Sequence, residues 1–176
     1  AMAKSDRVFM SGVIMIETGL KLLPLDSLHH RCGARMVPFA GYSMPLHYEA
    51  GVKKEHIHTR EKAGLFDVSH MGQIRLKGDS IKLEMESLVP GDIQSLKDGG
   101  MRYTVFTNDK GGVLDDLIVT NAGDHIFVVV NAACRGRDID LMRANLRCDI
   151  EELDDYALLA LQGPFSQLIL ESIAPG

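Results

Sequence analysis

Asn108-Asp-Lys-Gly-Gly-Val-Leu-Asp-Asp-Leu-Ile-Val119 decides how this chain folds. A glycine turn delivers two adjacent carboxylates into the start of an apolar run. Asp is depleted from strand interiors because its side chain competes with the backbone and resists burial. Here Asp115 and Asp116 are bracketed by Val113, Leu114, Leu117, Ile118 and Val119. Successive strand side chains point to opposite faces, so one of the two must lean towards the covered side. A carboxylate there, with no basic neighbour in sequence, either finds hydrogen-bond donors or meets a ligand. Alternation alone does not choose between them, and an exposed edge or strand-end cap stays open as the plain reading.

Outward from that stretch, Tyr103 to Thr107, Val113 to Thr120 and His125 to Asn131 read as three strands. Asn108–Gly112 and Asn121–Asp124, both rich in turn residues, separate them, which predicts a β-meander. Residues 136–147 space Ile139, Met142 and Leu146 as a helix does, and Ile81 to Leu88 reads as a shorter one. Upstream, Pro24 to Gly33 predicts a short helix with a glycine stop, and Gly51 to Ala63 a second, charged one. Ala34 to Tyr48 carries Gly41 and Pro45 as punctuation and is expected to be irregular. Ala63 to Gly72 leads into a strand. A strand around Tyr156–Gln162, with no visible partner, and a helix from Phe165 to Ile173 finish the chain. The expected class is α+β: mixed, mainly antiparallel sheets with packed helices.

The chain has 176 residues, 45% hydrophobic and 24% charged, as in a globular protein. A net charge of −5 argues against non-specific nucleic-acid binding, which needs a basic field. Cys32, Cys134 and Cys148 form no CxxC pair, so neither a disulfide framework nor a thiolate zinc site is expected. No apolar run reaches membrane-span length. Residues 1–20 read as an extension of uncertain role. Ala1 before Met2 looks like a cloning remnant, Met10 or Met15 offers an alternative start, and Val8 to Ile16 makes a poor secretory signal.

Asp67, Ser69 and His70 supply the residue types of a hydrolase triad. They lie too close in sequence to converge from different elements, and no Gly-x-Ser-x-Gly elbow accompanies them. His29 and His30 diverge by about 100° on a helix, and His56 and His58 by about 200°, so neither pair chelates and no metal is expected. Gly99-Gly100 and Gly111-Gly112 match neither phosphate-binding glycine fingerprint.

Six segments in order resemble one family. They are Gly33-Ala-Arg-Met-Val-Pro-Phe-Ala-Gly41, Met44-Pro-Leu-His-Tyr48, Gly64-Leu-Phe-Asp-Val-Ser-His-Met-Gly72, Gly111-Gly-Val-Leu-Asp-Asp-Leu-Ile-Val119, Val129-Val-Asn131 and Leu161-Gln-Gly-Pro164. Together, from about Leu23 onwards, they resemble the amino-terminal part of the glycine cleavage system T-protein, a tetrahydrofolate-dependent aminomethyltransferase. The resemblance implies transfer of an aminomethyl group from the lipoyl arm of a partner H-protein to tetrahydrofolate, releasing ammonia and giving methylene-tetrahydrofolate. Folate is then a co-substrate and lipoate arrives on the partner.

The resemblance assigns the catalytic role to the second carboxylate of the Asp-Asp pair, Asp116, and none to Asp115. A carboxylate there orients the folate nitrogen and stabilises developing positive charge. Met71, Tyr103 and Asn131 are implied to line the folate site with Asp116; their plain readings are strand packing and a turn cap. The resemblance also implies a three-domain fold. Residues 21–71 and 156–176 would belong to an incomplete first domain, and 72–155 to an inserted β-rich second one. Because family members are longer, residues 1–176 alone are expected to bind folate weakly and turn over little. A bacterial cytoplasmic setting is expected over a mitochondrial one, since residues 1–20 are not Arg- and Ser-rich.

Two rivals remain at this point. One is another folate-using member of the superfamily: a sarcosine- or dimethylglycine-type folate domain, a sulfonium demethylase, or an iron–sulfur repair protein. The other is a folate-binding or H-protein-docking module without chemistry. Neither involves nucleic acid or a membrane.

Overall fold

A computed structural model describes residues 19–174 together with the two short strands β1 (Phe9–Met10) and β2 (Val13–Ile14). The expectations for a start site or signal before residue 19 lie largely outside those residues. The chain divides into two compact units, residues 71–154 and, around them in sequence, residues 1–70 with 155–176. The class is α+β with antiparallel sheets.

Residues 71–154 hold a five-stranded sheet. Its strands are β6 (Gly72–Lys77), β7 (Met101–Thr107), β8 (Val113–Asn121), β9 (Ile126–Val130) and β10 (Asp149–Glu152), in the order β10-β6-β9-β8-β7. All neighbours run antiparallel. The meander β7-β8-β9 follows from its two turns. Asn108 closes the first, its Oδ1 accepting from the backbone N–H groups of Lys110 and Gly112. Alternation then sorts the faces. Phe106, Leu117, Val119, Val128 and Val130 point inwards, joined by Ile74 and Leu76. Helices α3 (Ile81–Met85) and α4 (Arg135–Asn145) are among the elements that close this side, through Ile81 and Met85 and through Ile139 and Met142, with Leu146 just beyond. Each such side chain contributes roughly 1.5–3 kcal/mol by leaving water.

Strand β10 is absent from the sequence reading. Its acidic residues disfavour a strand, but Glu151 lies opposite Arg75 of β6 and pairs with it at 2.9 Å. Ile150 of the same strand packs against the core, and the cross-strand opposite charges add to the pairing at this edge.

The other unit contains α1 (Asp26–Arg31), β3 (Arg35–Phe39), β4 (Tyr42–His47), α2 (Val52–Glu61), β5 (Gly64–Asp67), β11 (Leu159–Gln162) and α5 (Ser166–Ile173). Two expectations are corrected here. Residues 34–48 are not irregular: β3 and β4 form a hairpin with Phe39 opposite Tyr42. Ala40 and Gly41 both take positive φ, 48° and 82°, as a two-residue hairpin turn requires. Pro38 and Pro45 are tolerated because a two-stranded ribbon consists only of edges. Nor is the strand near residue 160 without a partner. β11 pairs with β5, Leu159 opposite Asp67 and Gln162 opposite Gly64.

Among the described residues, no helix is long and apolar enough to cross a membrane. None of their His, Cys, Asp and Glu side chains form a group of three placed to hold a metal ion.

Candidate functional site

Asp115 and Asp116 part company at once. Asp115 lies opposite Phe106, which is fully buried, and so faces the covered side of the sheet with Leu117. Asp116 lies opposite Val105 and takes the other face, which Tyr103 shares two residues along β7. The two carboxylates therefore have different environments despite adjacent positions.

On the open face, the Tyr103 hydroxyl donates to Asp116 Oδ2 at 3.1 Å. Asn131 Nδ2 donates to Asp116 Oδ1 at 3.0 Å. Asn131 follows β9 directly and stands beside Asp116 because β8 and β9 pair Leu117 with Val130. Tyr103 is 68% exposed, so its ring is a free aromatic surface beside the carboxylate. Its hydroxyl is raised above the usual phenol range by the hydrogen bond and charge of Asp116, and it stays a donor near neutral pH.

Each Asp116 oxygen accepts one of these bonds and keeps a further lone pair for an incoming donor. Met71 is half-buried at the bend before β6, and Gly72 pairs with Val130, which brings Met71 to the Asn131 end of the sheet. No side chain fits at residue 72. A Cβ there would meet Val130 Cγ2 at 2.7 Å and Arg135 Cγ at 3.0 Å.

Beneath the open face, Asn131 Nδ2 also reaches Asp115 Oδ1 at 3.1 Å and the Asp116 carbonyl at 3.2 Å. Burial pushes Asp115 upwards, but hydrogen bonds from Asp138, Asn131 and Cys134 outweigh it and hold the carboxyl below its ordinary range. Burial, followed by the bond to Asp115, raises the Cys134 thiol, which remains protonated. Asp138, on α4, did not figure in the sequence reading. The signal for it was its place four residues before Met142, which puts a carboxylate on the apolar stripe of a charged helix.

The hydrolase residues assemble differently. The Ser69 hydroxyl donates to Asp67 Oδ1 at 2.5 Å and accepts from the Leu158 backbone N–H at 2.9 Å. The imidazole against Asp67 is that of His29, at 2.8 Å, and its other nitrogen contacts the Tyr48 hydroxyl at 2.8 Å. Serine and histidine thus sit on opposite oxygens of one carboxylate, which is a cross-brace and not a relay. Burial lowers the His70 imidazole, which rests edge-on to Phe39 and Tyr42.

Comparison with known proteins bears on the site as a whole. A model of the family described as the GCVT N-terminal domain matches residues 25–176. The chain is 46% identical over 163 residues to a mitochondrial aminomethyltransferase of Dictyostelium discoideum, covering 86% of this chain and 40% of that protein. It is 40% identical over 160 residues to the aminomethyltransferase of Deinococcus deserti, covering 88% and 44% respectively. Among solved structures, glycine cleavage system aminomethyltransferase T from Bartonella henselae superposes with a TM-score of 0.82 at 41% identity, over 89% of this chain and 45% of that one. The chain spans 40–44% of the length of the two curated relatives. They include bacterial and mitochondrial enzymes alike.

Proposed function

The chain belongs to the GCVT N-terminal domain family, and from that premise we propose that it serves an aminomethyltransferase of glycine cleavage. The reaction is transfer of an aminomethyl group from the lipoyl arm of H-protein to tetrahydrofolate, with release of ammonia. One observation carries the reading: Asp116 presents its carboxylate on an open sheet face, held at one oxygen by Asn131 and at the other by Tyr103. That arrangement fits a flat heterocycle rich in N–H groups. The carboxylate accepts, the phenol ring offers a stacking face, and Met71 adds an apolar wall at the Asn131 end.

Tetrahydrofolate, when bound, supplies the nitrogen that takes up the transferred carbon. Asp116 orients that nitrogen and is itself prevented from rotating by its two donors, so no reorganisation is needed as charge develops. Tyr103 and Asn131 hold the carboxylate in place by donating one hydrogen bond to each of its oxygens. Asp115 faces away and does not touch substrate. In this reading residues 71–154 form an inserted domain that carries Asp116, and the residues around them belong to a first domain.

Calorimetric titration of the chain with tetrahydrofolate, beside Asp116→Asn, tests the assignment. Binding in the parent that weakens at least about tenfold in the variant supports it. Equal affinity of the two proteins overturns the role of Asp116. In the complete enzyme the same substitution abolishes ammonia release from aminomethyl-loaded H-protein while leaving H-protein binding intact.

A further inference from the structure

Asp138 takes no part in the reaction as described, yet it is the most confined charge near the site. It stands in the first turn of α4 and is 1% exposed. Among the described residues, no N–H group donates to either of its carboxyl oxygens within hydrogen-bond distance, and none to Asp115 Oδ2. Asp115 faces the side of the sheet that α4 covers, so the two buried carboxyl groups share one water-excluded layer, and each shifts the other's ionisation. Two carboxylates offer only acceptors, so their contact is repulsive unless one proton sits between them.

The surroundings decide which group keeps it. Asp115 Oδ1 accepts from Asn131 Nδ2, and the Cys134 thiol bonds the same carboxyl, so its anion is solvated by donors. Among the described residues, the ion-pair partner of Asp138 is Arg137, whose Nε lies 3.6 Å from Oδ1 on a side chain 55% exposed. That contact is beyond hydrogen-bond range and is screened by water. Across the sheet, Phe106 offers no charge, and Tyr103 and Asp116 lie on the opposite face. Burial, then the bond and charge of Asp115, pushes Asp138 up to about 7.

We propose that Asp115 and Asp138 hold a single proton between them, resident on Asp138, and that this pair is the positioning device for Asn131 and, through it, Asp116. The geometry supports each link. Asn131 has one NH2 group for three acceptors, Asp115 Oδ1, Asp116 Oδ1 and the Asp116 carbonyl. Where that amide settles depends on how strongly Asp115 pulls. A protonated Asp138 takes up part of the Asp115 charge and leaves the amide shared with Asp116. Once Asp138 ionises, two adjacent negative charges pull the amide inwards, and Asp116 loses one of the two donors that fix it. Asp138 is therefore a positioning residue and not a catalytic one.

The link to Asp116 rests on the folate reading; the shared proton does not. The experiment follows the carboxyl carbons of Asp115 and Asp138 and the side-chain amide of Asn131 by NMR, in the unliganded chain from about pH 4 to about pH 9. Asp138→Asn, a neutral donor of similar volume, is measured alongside, and tetrahydrofolate affinity is taken over the same range. The expected result is a common step for Asp138 and Asn131 near pH 7, missing from Asn131 in the variant. Folate affinity then falls about fivefold through that step in the parent and stays flat in the variant. Titration of Asp138 near about pH 4, in the ordinary carboxylate range, overturns the shared proton. An Asn131 amide that ignores the Asp138 step overturns the positioning role. Folate that binds neither protein at any pH removes the folate reading alone, and the amide step still decides the pair.

Discussion

The two units of this chain contrast in how they use apolar residues. In residues 71–154, both meander and helices converge on one core, and Ile74, Leu76, Met85, Phe106, Val119, Val128, Val130 and Met142 are fully excluded from water. In the other unit, Leu65, Phe66, Leu159, Phe165, Leu168, Leu170 and Ile173 remain exposed. Its sheets have two strands each, and such ribbons bury too little to be stable unaided. The candidate folate face sits on the unit with the dense core. A carboxylate that must hold its orientation is better supported by a sheet whose reverse side is packed than by a ribbon.

This contrast is open to direct attack. Phe106→Ala removes a fully buried ring and should cost about 3–5 kcal/mol in denaturant unfolding. Loss below about 1 kcal/mol would mean the packed core is not what holds the sheet. Gly72→Ala forces a methyl against Val130 and Arg135 and should cost about 1–3 kcal/mol, with a displaced Asn131 amide resonance as its signature.

Asp138 supplies a prediction with a sign. Its folded value of about 7 lies above the ordinary carboxylate value of 3.8, so the folded state binds the proton more tightly than the unfolded chain. Its contribution is therefore complete below about pH 4 and is lost as pH rises through about 7. Asp138→Asn should stabilise the protein by about 1–3 kcal/mol at pH 8, and the gain should shrink towards about pH 4 in parallel denaturation curves. A difference that grows with acidity contradicts the assignment. The smallest effect belongs to the exposed helix α5: Leu168→Ser should change stability by less than about 0.5 kcal/mol while lowering binding of an apolar dye.

The legibility of the sequence followed the range of the interactions involved. The meander was readable because Asn108–Gly112 and Asn121–Asp124 encode their turns locally. The opposed faces of Asp115 and Asp116 followed from alternation, although only register showed which faces which way. The hairpin at residues 35–47 was missed because Ala40-Gly41 was read as a breaker when it is a tight turn. β11 seemed unpaired because its partner β5 lies more than ninety residues upstream, a distance no local pattern spans. Asp138 was hidden among Arg135, Arg137 and Asp140, where a charged run reads as a solvated face.

The pairing of β5 with β11 also bears on the order of folding. The segment between them begins and ends at adjacent points, since β6 and β10 are neighbours and the Leu153 N–H donates to the Gln73 carbonyl at 2.9 Å. Once that segment has folded, the entropy of closing so long a loop no longer opposes the β5–β11 ribbon. Folding of the middle of the chain thus lowers the cost of bringing the flanks together. Mutations that slow its nucleation should delay the ribbon as well, even though they change none of its residues.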